Sequence, residues 1–220
     1  MFCECRNIIK HYDGRCVLNV PELVLPAGKI TAIVGANGSG KTTLLEIMAL
    51  LTRPDGGTLR LWGAPAEFAN AQARQSVVMV MHPGYMFRGD VWHNMMFGLK
   101  ARGVPHADAQ TRARDALAMV GLLDFAHRSA ATLSAGERQR VNIARALAVQ
   151  PRAMLFDEPV VNVDTQSVDI IRGLLVRLRD TQGTTIVHTS ASGDALEDIS
   201  DTMVRMVAGT PAPCLAGEQT

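Results

Sequence analysis

The chain has 220 residues, of which 47% are hydrophobic and 20% are charged, and its 22 basic residues nearly balance its 21 acidic ones. This composition is typical of a globular protein with a large buried core, and it excludes an intrinsically disordered or collagen-like chain. A net charge of +1 is too small for a protein that binds nucleic acid mainly by neutralising phosphates, so we expect no nucleic-acid partner.

No segment of the sequence predicts a membrane span or a secretory signal. The most apolar stretches, residues 44–51 and 77–81, are far shorter than the roughly 20 apolar residues that a membrane-spanning helix needs. Residues 1–14 lack the apolar run and the small-residue cleavage site of a secretory signal, so we expect a cytoplasmic protein.

The cysteine content is typical of a reducing compartment. The four residues are Cys3, Cys5, Cys16 and Cys214. They have neither the density nor the spacing of a disulfide framework or of paired CxxC zinc motifs. Cys3 and Cys5 would share one face of a strand, where core packing is favoured over binding of a soft metal ion.

Strand-like and helix-like segments alternate along the chain, which predicts an α/β fold. Residues 2–25 and 57–62 indicate short antiparallel strands, and the apolar run 30–34 between them indicates a buried parallel strand. Residues 82–140 are mostly helical and predict a subdomain. The Gly/Pro-rich residues 209–220 predict a tail on a chain that otherwise forms a single domain.

Two amphipathic helices and two further strands follow in the second half of the chain. One helix begins at Pro105 and ends before Gly121, and its apolar face consists of Ala109, Ala113, Leu117 and Val120. The apolar runs 154–156 and 184–187 indicate buried parallel strands. The helix between them begins at Thr165, and its apolar face consists of Val168, Ile171, Leu175 and Leu178.

The string GANGSGKTT follows an apolar strand, precedes the helical run LLEIMALL, and matches the phosphate-loop pattern G-x-x-x-x-G-K-[ST]. Glycines let successive backbone N–H groups surround phosphate oxygens, and the following helix adds its positive N-terminal end. We expect Lys41 to neutralise the β and γ phosphates of a nucleotide and Thr42 to ligate Mg²⁺. The predicted nucleotide-binding residues are Gly35, Ala36, Asn37, Gly38, Ser39, Gly40, Lys41, Thr42 and Thr43.

The string RAMLFDEP places two carboxylates directly after a buried strand. An acidic residue at this position is typical of the Walker B carboxylate that holds Mg²⁺, so we assign Asp157 to the metal. Glu158 can orient and deprotonate the attacking water. Without the phosphate loop, the same string would favour a solvated loop.

The string LSAGERQRVNIARALA, residues 133–148, predicts a helix with an S-x-x-E capping box formed by Ser134 and Glu137. Taken alone it is an ordinary capped helix with one apolar face. It is similar, however, to the LSGGQ signature of ABC-type ATPases, and like that signature it lies about twenty residues before the Walker B strand.

In the order of its motifs, nearly the whole chain, about residues 2–208, resembles the nucleotide-binding subunit of an ABC transporter. The motifs are an aromatic residue near the start, GANGSGKTT, a Q-loop region, LSAGE, LFDEP and VNVD. The resemblance implies a P-loop NTPase core with a mostly parallel sheet, an N-terminal antiparallel β subdomain and a helical signature subdomain. It also implies that two subunits sandwich two ATP molecules, each held by the phosphate loop of one subunit and the signature of the other.

The resemblance assigns further contacts to the nucleotide. Tyr12 would stack on adenine, although it could also be a plain surface aromatic of the sheet. Asn162, Val163 and Asp164 match the D-loop that crosses the dimer interface. A helix N-terminus attracts anions, which suits a contact from the signature to the γ-phosphate of the partner's ATP. The signature residues are Ser134, Ala135, Gly136 and Glu137.

Two positions depart from the family pattern, and both concern hydrolysis. His82 stands where the family has the Q-loop glutamine. A neutral imidazole can accept a hydrogen bond from water or ligate a metal. The alternative is that His82 is a plain loop residue. Ser190 or Ala191 falls where the switch histidine is expected, and His188 lies two or three residues early, where a strand would turn it away from the nucleotide. We therefore expect normal binding of MgATP and slow hydrolysis unless His82 or His188 substitutes.

The resemblance also implies a separate permease in the membrane and an indirect solute-binding partner. Large apolar residues after His82 would receive the permease's coupling helix, with Phe87 and Trp92 as the expected exposed members; the alternative is that most of them form the core of the helical subdomain. The patch comprises Tyr85, Met86, Phe87, Val91, Trp92, Met95, Met96 and Phe97.

The short, unfused chain favours an importer at the inner face of the cell membrane, working as a homodimer or as one of a heteromeric pair. The strings TLSAGERQRVNIARALA and EPVVNVD look most like small-anion importers of the tungstate or molybdate type. The alternatives are a lipoprotein-release or cell-division ATPase, a soluble ABC protein that acts on ribosomes or in DNA repair, and a weakly hydrolytic regulatory module.

Overall fold

The fold was described from a computed structural model, which covers residues 1–191, 193 and 195–212; Cys214 and the last part of the expected tail lie outside them. The strands are β1 (Cys3–Tyr12), β2 (Arg15–Leu25), β3 (Ile30–Val34), β4 (Gly56–Leu61), β5 (Ala64–Pro65), β6 (Val77–Val80), β7 (Ala153–Phe156), β8 (Thr185–Ser190), β9 (Thr202–Val207) and β10 (Thr210–Ala212). The helices are α1 (Lys41–Met48), α2 (Ala71–Gln75), α3 (Val91–Ala101), α4 (His106–Met119), α5 (Ala135–Ala148) and α6 (Thr165–Gln182).

The N-terminal part of the chain forms an antiparallel sheet in the order β2-β1-β4-β5, as the sequence predicts. β1 and β2 have 10 and 11 residues, so they are longer than the short strands that we expected. Asp13 and Gly14 connect them with positive φ angles of 49° and 76°, the backbone that a tight two-residue hairpin requires. Alternate residues of β1 and β2 are buried, which covers one face of the sheet.

The second sheet has the order β10-β9-β3-β8-β7-β6, and its strands from β9 to β6 run parallel. β3, β7 and β8 are buried throughout, as expected for parallel strands that are covered on both faces. β8 extends beyond the predicted run 184–187 to Ser190. The tail prediction was wrong at its start, because Thr210–Ala212 pair with β9 as β10.

The predicted amphipathic helices are present. α4 follows Pro105 and is stopped near Gly121, which has a positive φ of 68°. α6 begins after the N-cap Asp164, whose carboxylate accepts a hydrogen bond from Ser167 N at 2.9 Å, and ends at Gly183. Helices α3, α4 and α5 pack against each other, whereas the first residues of the expected helical region, 82–90, are loop.

The parallel sheet separates two hydrophobic clusters. Met154, Phe156 and Ile186 face the side that α3 to α6 cover. Leu155 and Val187 face the opposite side, which α1 and the antiparallel sheet cover. This alternation decides which side chains at the ends of β7 and β8 can reach the phosphate loop. Within the described residues, no helix is both long and apolar enough to cross a membrane.

Cys3 and Cys5 are buried in the second cluster, with their Sγ atoms 3.7 Å apart. The hydrogen bond between Cys3 and Cys5 and the burial of the site both raise the pKa of the Cys3 thiol, so the protonated form that suits core packing is favoured over a metal-binding thiolate. In the described part of the chain, no three His, Cys, Asp or Glu side chains are grouped to hold a metal ion.

Candidate functional site

The phosphate loop lies between the end of β3 and the start of α1, and its shape depends on two glycines. Gly40 precedes α1 with a φ of 93°, and a Cβ there would lie 2.7 Å from Leu18 Cδ2. A Cβ on Gly35 would lie 2.4 Å from the carbonyl oxygen of Met206. The loop therefore packs so closely against β2 and β9 that larger residues at these positions would displace it.

Lys41 is the positive charge of this loop, and its side chain is only 5% exposed. Its Nζ donates hydrogen bonds to the carbonyl oxygens of Gly35 at 2.7 Å and Ala36 at 3.3 Å, and lies 3.6 Å from Glu158 Oε1. Ser39 Oγ is buried and has no hydrogen-bond partner among the described residues. The loop thus presents a fixed cation and an unused hydroxyl, both suited to phosphate oxygens.

Asp157 joins the end of β7 to the start of α1. Its Oδ2 accepts a hydrogen bond from Thr42 Oγ1 at 2.9 Å, and its Oδ1 accepts one from Thr189 Oγ1 at 2.7 Å. The hydroxyl of Thr189 also accepts from the backbone N–H of Glu158 at 3.0 Å. A carboxylate and a hydroxyl at this separation are hard oxygen donors, so Thr42 and Asp157 fit Mg²⁺.

Glu158 has a φ of 46°, in the left-handed region that a residue with a side chain seldom adopts. Such a conformation costs about 1–3 kcal/mol and is concentrated at functional sites. Thr189 stabilises it through the backbone N–H. Thr189 was not among the predicted site residues; its position on β8 directly beside Asp157 follows only from the strand order.

A cavity of about 320 Å³ collects these groups. It brings together most of the predicted phosphate-loop residues with both carboxylates and His82, whereas Gly35 and Ala36 contribute through the carbonyls that Lys41 binds. Its lining residues are Val17, Asn37, Gly38, Ser39, Gly40, Lys41, Thr42, Thr43, His82, Asp157 and Glu158.

The two histidines take different places. His82 lines the cavity, and its buried Nδ1 has no hydrogen-bond partner in residues 1–191, 193 and 195–212. His188 lies within β8, is fully buried, and is not among the lining residues. It shares the face of Ile186, towards the helices, and its Nε2 lies 2.8 Å from Ser200 Oγ. The structure therefore does not bring His188 to the cavity, because strand alternation turns it to the other side of the sheet.

Ser190, at the place expected for the switch histidine, is buried and donates a hydrogen bond to Glu197 Oε1 at 3.0 Å. Tyr12 stands at the exposed end of β1, with Lys10 Nζ 5.4 Å from its ring centre. It does not line the cavity, although Val17 on the adjacent strand does. Stacking of Tyr12 on adenine stays a prediction.

The signature residues lie outside this cavity, at the N-terminus of α5. The capping box is confirmed: Ser134 N donates to Glu137 Oε2 at 2.7 Å, and Glu137 N donates to Ser134 Oγ at 3.1 Å. Ser134 and Ala135 are exposed, whereas Gly136 is buried. This helix end is therefore accessible to another molecule.

Gly136 packs against the N-cap of α6. A Cβ at this position would lie 2.1 Å from Asp164 Oδ2 and 2.5 Å from Ser167 Oγ. The hydrogen bonds that Asp164 accepts from Ser167 N and Oγ lower the pKa of its carboxyl, so it is held as the anion. The structure thus joins the signature and the predicted D-loop residue in one surface.

The apolar patch after His82 is partly core and partly surface. Val91 and Met95 are fully buried, and Met86, Trp92 and Met96 pack partly buried against the helical cluster. Phe87 and Trp92, which we expected to be the exposed members, are half-buried, because the ring of Phe87 lies against Phe97 and Trp92 packs against the helical cluster. The most exposed members are Tyr85, at 73%, and Phe97, at 48%.

Tyr85, Phe87 and Phe97 form an aromatic cluster. The ring centre of Phe87 lies 5.3 Å from that of Tyr85 and 4.1 Å from that of Phe97. Arg145 of α5 holds this cluster: Nη1 donates to the carbonyl oxygen of Tyr85 at 2.6 Å, and Cζ lies 5.2 Å from the ring centre of Phe87. A cavity of about 300 Å³ adjoins it, with walls from β6, α3 and α5. Arg145 was not among the residues predicted for this patch.

Comparisons with known proteins agree on one family. A family model described as ABC transporter matches residues 18–161. The tungstate uptake system ATP-binding protein of Peptoclostridium acidaminophilum is 32% identical over 203 residues, which cover 92% of this chain and 93% of that protein. A sulfate/thiosulfate import ATP-binding protein of Thermosynechococcus vestitus is 34% identical over 94% of this chain.

The chain spans 63% of the length of that sulfate/thiosulfate relative and 60% of an iron import relative from Escherichia coli. Among solved structures, an ATP-binding cassette determined as a dimer with ADP and phosphate bound superposes with a TM-score of 0.87. It is 25% identical and is matched over 96% of this chain and 97% of its own. Since the family model alone covers well over half of the residues, the chain belongs to the ATP-binding domains of ABC transporters.

Proposed function

We propose that this chain binds and hydrolyses ATP with Mg²⁺ and that two copies, closing on two nucleotides, drive transport through a membrane permease. The observation that carries the proposal is the cavity in which Lys41, Thr42, Asp157 and Glu158 meet. A cation, a metal-binding pair and a carboxylate base are the groups that phosphoryl transfer to water requires.

Binding relies on the phosphate loop. The backbone N–H groups around Gly38 to Gly40 and the N-terminus of α1 would contact the phosphates, and Lys41 would exchange its carbonyl partners for phosphate oxygens. Thr42 and Asp157 would hold Mg²⁺, which when bound neutralises charge on the phosphates. Thr189 keeps the Asp157 carboxylate in place for that task.

For hydrolysis, Glu158 would orient the attacking water and accept its proton. His82 also lines the cavity, and its Nδ1 has no hydrogen-bond partner among the described residues. We assign to His82 a hydrogen bond to that water or to the γ-phosphate. The burial of His188 against Ser200 offers no such contact. That placement favours slow turnover, and it also supports a weakly hydrolytic regulatory cassette as the second candidate function.

The accessible signature at α5, outside the cavity of its own chain, supports an arrangement in which each copy completes the other's site. We assign Ser134, Ala135 and Gly136 to the γ-phosphate of the nucleotide that a second copy holds. A homodimer is favoured because the structural neighbour with ADP and phosphate is dimeric.

The aromatic cluster and its adjoining cavity are the proposed docking surface for the permease, at the inner face of the membrane. The relatives named above are import proteins for tungstate, iron and sulfate. We favour an oxyanion importer of the tungstate type, because that relative is matched over nearly its whole length.

The proposal is tested with Glu158→Gln, which removes the base and keeps the fold. Size-exclusion chromatography with light scattering should show a monomer without nucleotide and a dimer with MgATP, while the wild type hydrolyses ATP. Absence of an ATP-dependent dimer would contradict the sandwich. A Tyr85→Asp variant that still co-purifies with the membrane permease, while its ATP binding is unchanged, would contradict the docking surface.

A further inference from the structure

Glu137 places a negative charge in the first turn of α5, within the signature. A carboxylate there stabilises the helix itself, because the helix N-terminus is positive. Under the proposed function, however, the same helix end receives the γ-phosphate of a nucleotide held by the second copy. An uncompensated carboxylate would repel that phosphate, and the repulsion is strong where water is excluded.

Both oxygens of the Glu137 carboxylate are engaged. Oε2 accepts the hydrogen bond from Ser134 N at 2.7 Å, which turns the carboxylate back onto its own helix end. Oε1 lies 3.4 Å from Arg128 Nη1, in an ion pair. The negative charge is therefore balanced by a cation that comes from outside the helix.

Several contacts hold Arg128 in this position. Its Nη2 donates to the carbonyl oxygen of Thr132 and its Nε donates to Thr132 Oγ1, both at 3.3 Å. Its Cζ lies 4.8 Å from the ring centre of Phe125, and its carbonyl oxygen accepts from Val91 N at 3.0 Å. The Arg128 side chain is 44% exposed and the Glu137 side chain 17% exposed, so the pair borders the helix end that a second copy would cover under the proposed function.

We infer that Arg128 is a positioning residue, which neutralises Glu137 and so allows the N-terminus of α5 to accept the phosphate of a nucleotide bound by another copy of this chain. The inference rests on the proposed function. An exposed ion pair contributes little to folding stability. We therefore expect the Arg128–Glu137 pair, held in place by Phe125 and Thr132, to matter mainly when a second copy covers this surface and excludes water.

The test is a double-mutant cycle in the Glu158→Gln background, with the ATP-dependent dimer measured by analytical ultracentrifugation at low ionic strength. Arg128→Gln keeps hydrogen-bonding capacity and removes the charge; we expect it to weaken the dimer about tenfold. Arg128→Lys should retain most of the affinity. When Glu137→Gln is also present, Arg128→Gln should change the dimer affinity less than twofold, because no carboxylate remains to be neutralised.

Arg177→Gln is the matched control, since it removes an exposed positive charge on α6 for which the described residues include no ion pair. The effect of Arg128→Gln should shrink at high salt, as expected for a charge interaction. ATP binding to the monomer, measured by titration calorimetry, should be equal in all variants and shows that each of them is folded.

An equal loss with and without Glu137→Gln would overturn the inference, because Arg128 would then act on the phosphate or on the loop rather than through Glu137. Unchanged dimer affinity in Arg128→Gln would overturn it as well. If the Glu158→Gln parent itself forms no dimer with ATP, the proposed function fails first, and the inference falls with it.

Discussion

The cavity at the phosphate loop and the signature at α5 differ in burial and in how many of their groups are bound within the same chain. In the cavity, Lys41, Asp157 and Thr189 are bound by groups of the same chain, and most of them are buried. At the signature, Ser134 and Glu137 form reciprocal hydrogen bonds at an exposed helix end. Under the proposed function, the first region would bind nucleotide within one chain, whereas the second would contribute only when a second copy covers it.

The largest expected effect concerns the cavity alone. Replacing Lys41 with Ala removes a buried cation, the only Lys or Arg among the described residues that line the cavity, so we expect MgATP binding to weaken about 100-fold. Titration of a fluorescent ATP analogue measures the affinity. Lys29→Ala, an exposed lysine at the opposite end of β3, is the control and should bind as the wild type does. Undiminished affinity in Lys41→Ala would contradict the nucleotide site.

Thr189 offers the next test, because it orients both carboxylate residues of the cavity. Thr189→Val leaves Asp157 Oδ1 and Glu158 N without their partner, so we expect kcat to fall about tenfold and the free energy of unfolding to fall by about 1–3 kcal/mol. Thr189→Ser keeps the hydroxyl and should keep the activity. Steady-state ATPase assays and urea unfolding give the two quantities. A wild-type kcat in Thr189→Val would show that the hydroxyl does not act on the site.

Gly136→Ala tests the signature without touching the cavity. The added methyl would meet Asp164 Oδ2 and Ser167 Oγ, so we expect the α6 cap to shift. The shift should lower the free energy of unfolding by about 1 kcal/mol and weaken the ATP-dependent dimer about tenfold. ATP binding to the monomer should not change. Gly173→Ala, in α6 with open space around it, is the control and should be neutral or slightly stabilising. If Gly136→Ala also weakened ATP binding to the monomer, the signature and the cavity would not be independent.

In both regions, the features that the sequence predicted correctly depend on short-range contacts. Strand β3, the phosphate loop and α1 are consecutive, so hydrophobic period and glycine spacing predict them together. The capping box of Ser134 and Glu137 is equally local, and it was confirmed. Both predictions depend on residues a few positions apart.

The features that the sequence could not provide depend on which elements become neighbours. Thr189 reaches Asp157 because β8 lies beside β7, and strand order is a property of the whole sheet. The same register turns His188 to the helical side. Arg128 comes from a loop without periodicity, and only its folded position reveals the pair with Glu137. In the patch after His82, contacts with other helices limit exposure, because Phe87 lies against Phe97 and Arg145 and Trp92 packs against the helical cluster.

The smallest expected effect again concerns the signature surface, and it is a dependence on pH. Hydrogen bonds from Ser167 lower the pKa of Asp164 in the folded chain, so its carboxylate stabilises the fold above the unfolded value of about 4, and this contribution is lost as the pH falls through the folded value. Asn also caps helices but does not titrate. The difference in Tm between the wild type and Asp164→Asn should therefore be larger at pH 7 than at pH 3, by differential scanning calorimetry. A difference that is constant between these pH values would show that the cap acts through hydrogen-bond geometry rather than through its charge.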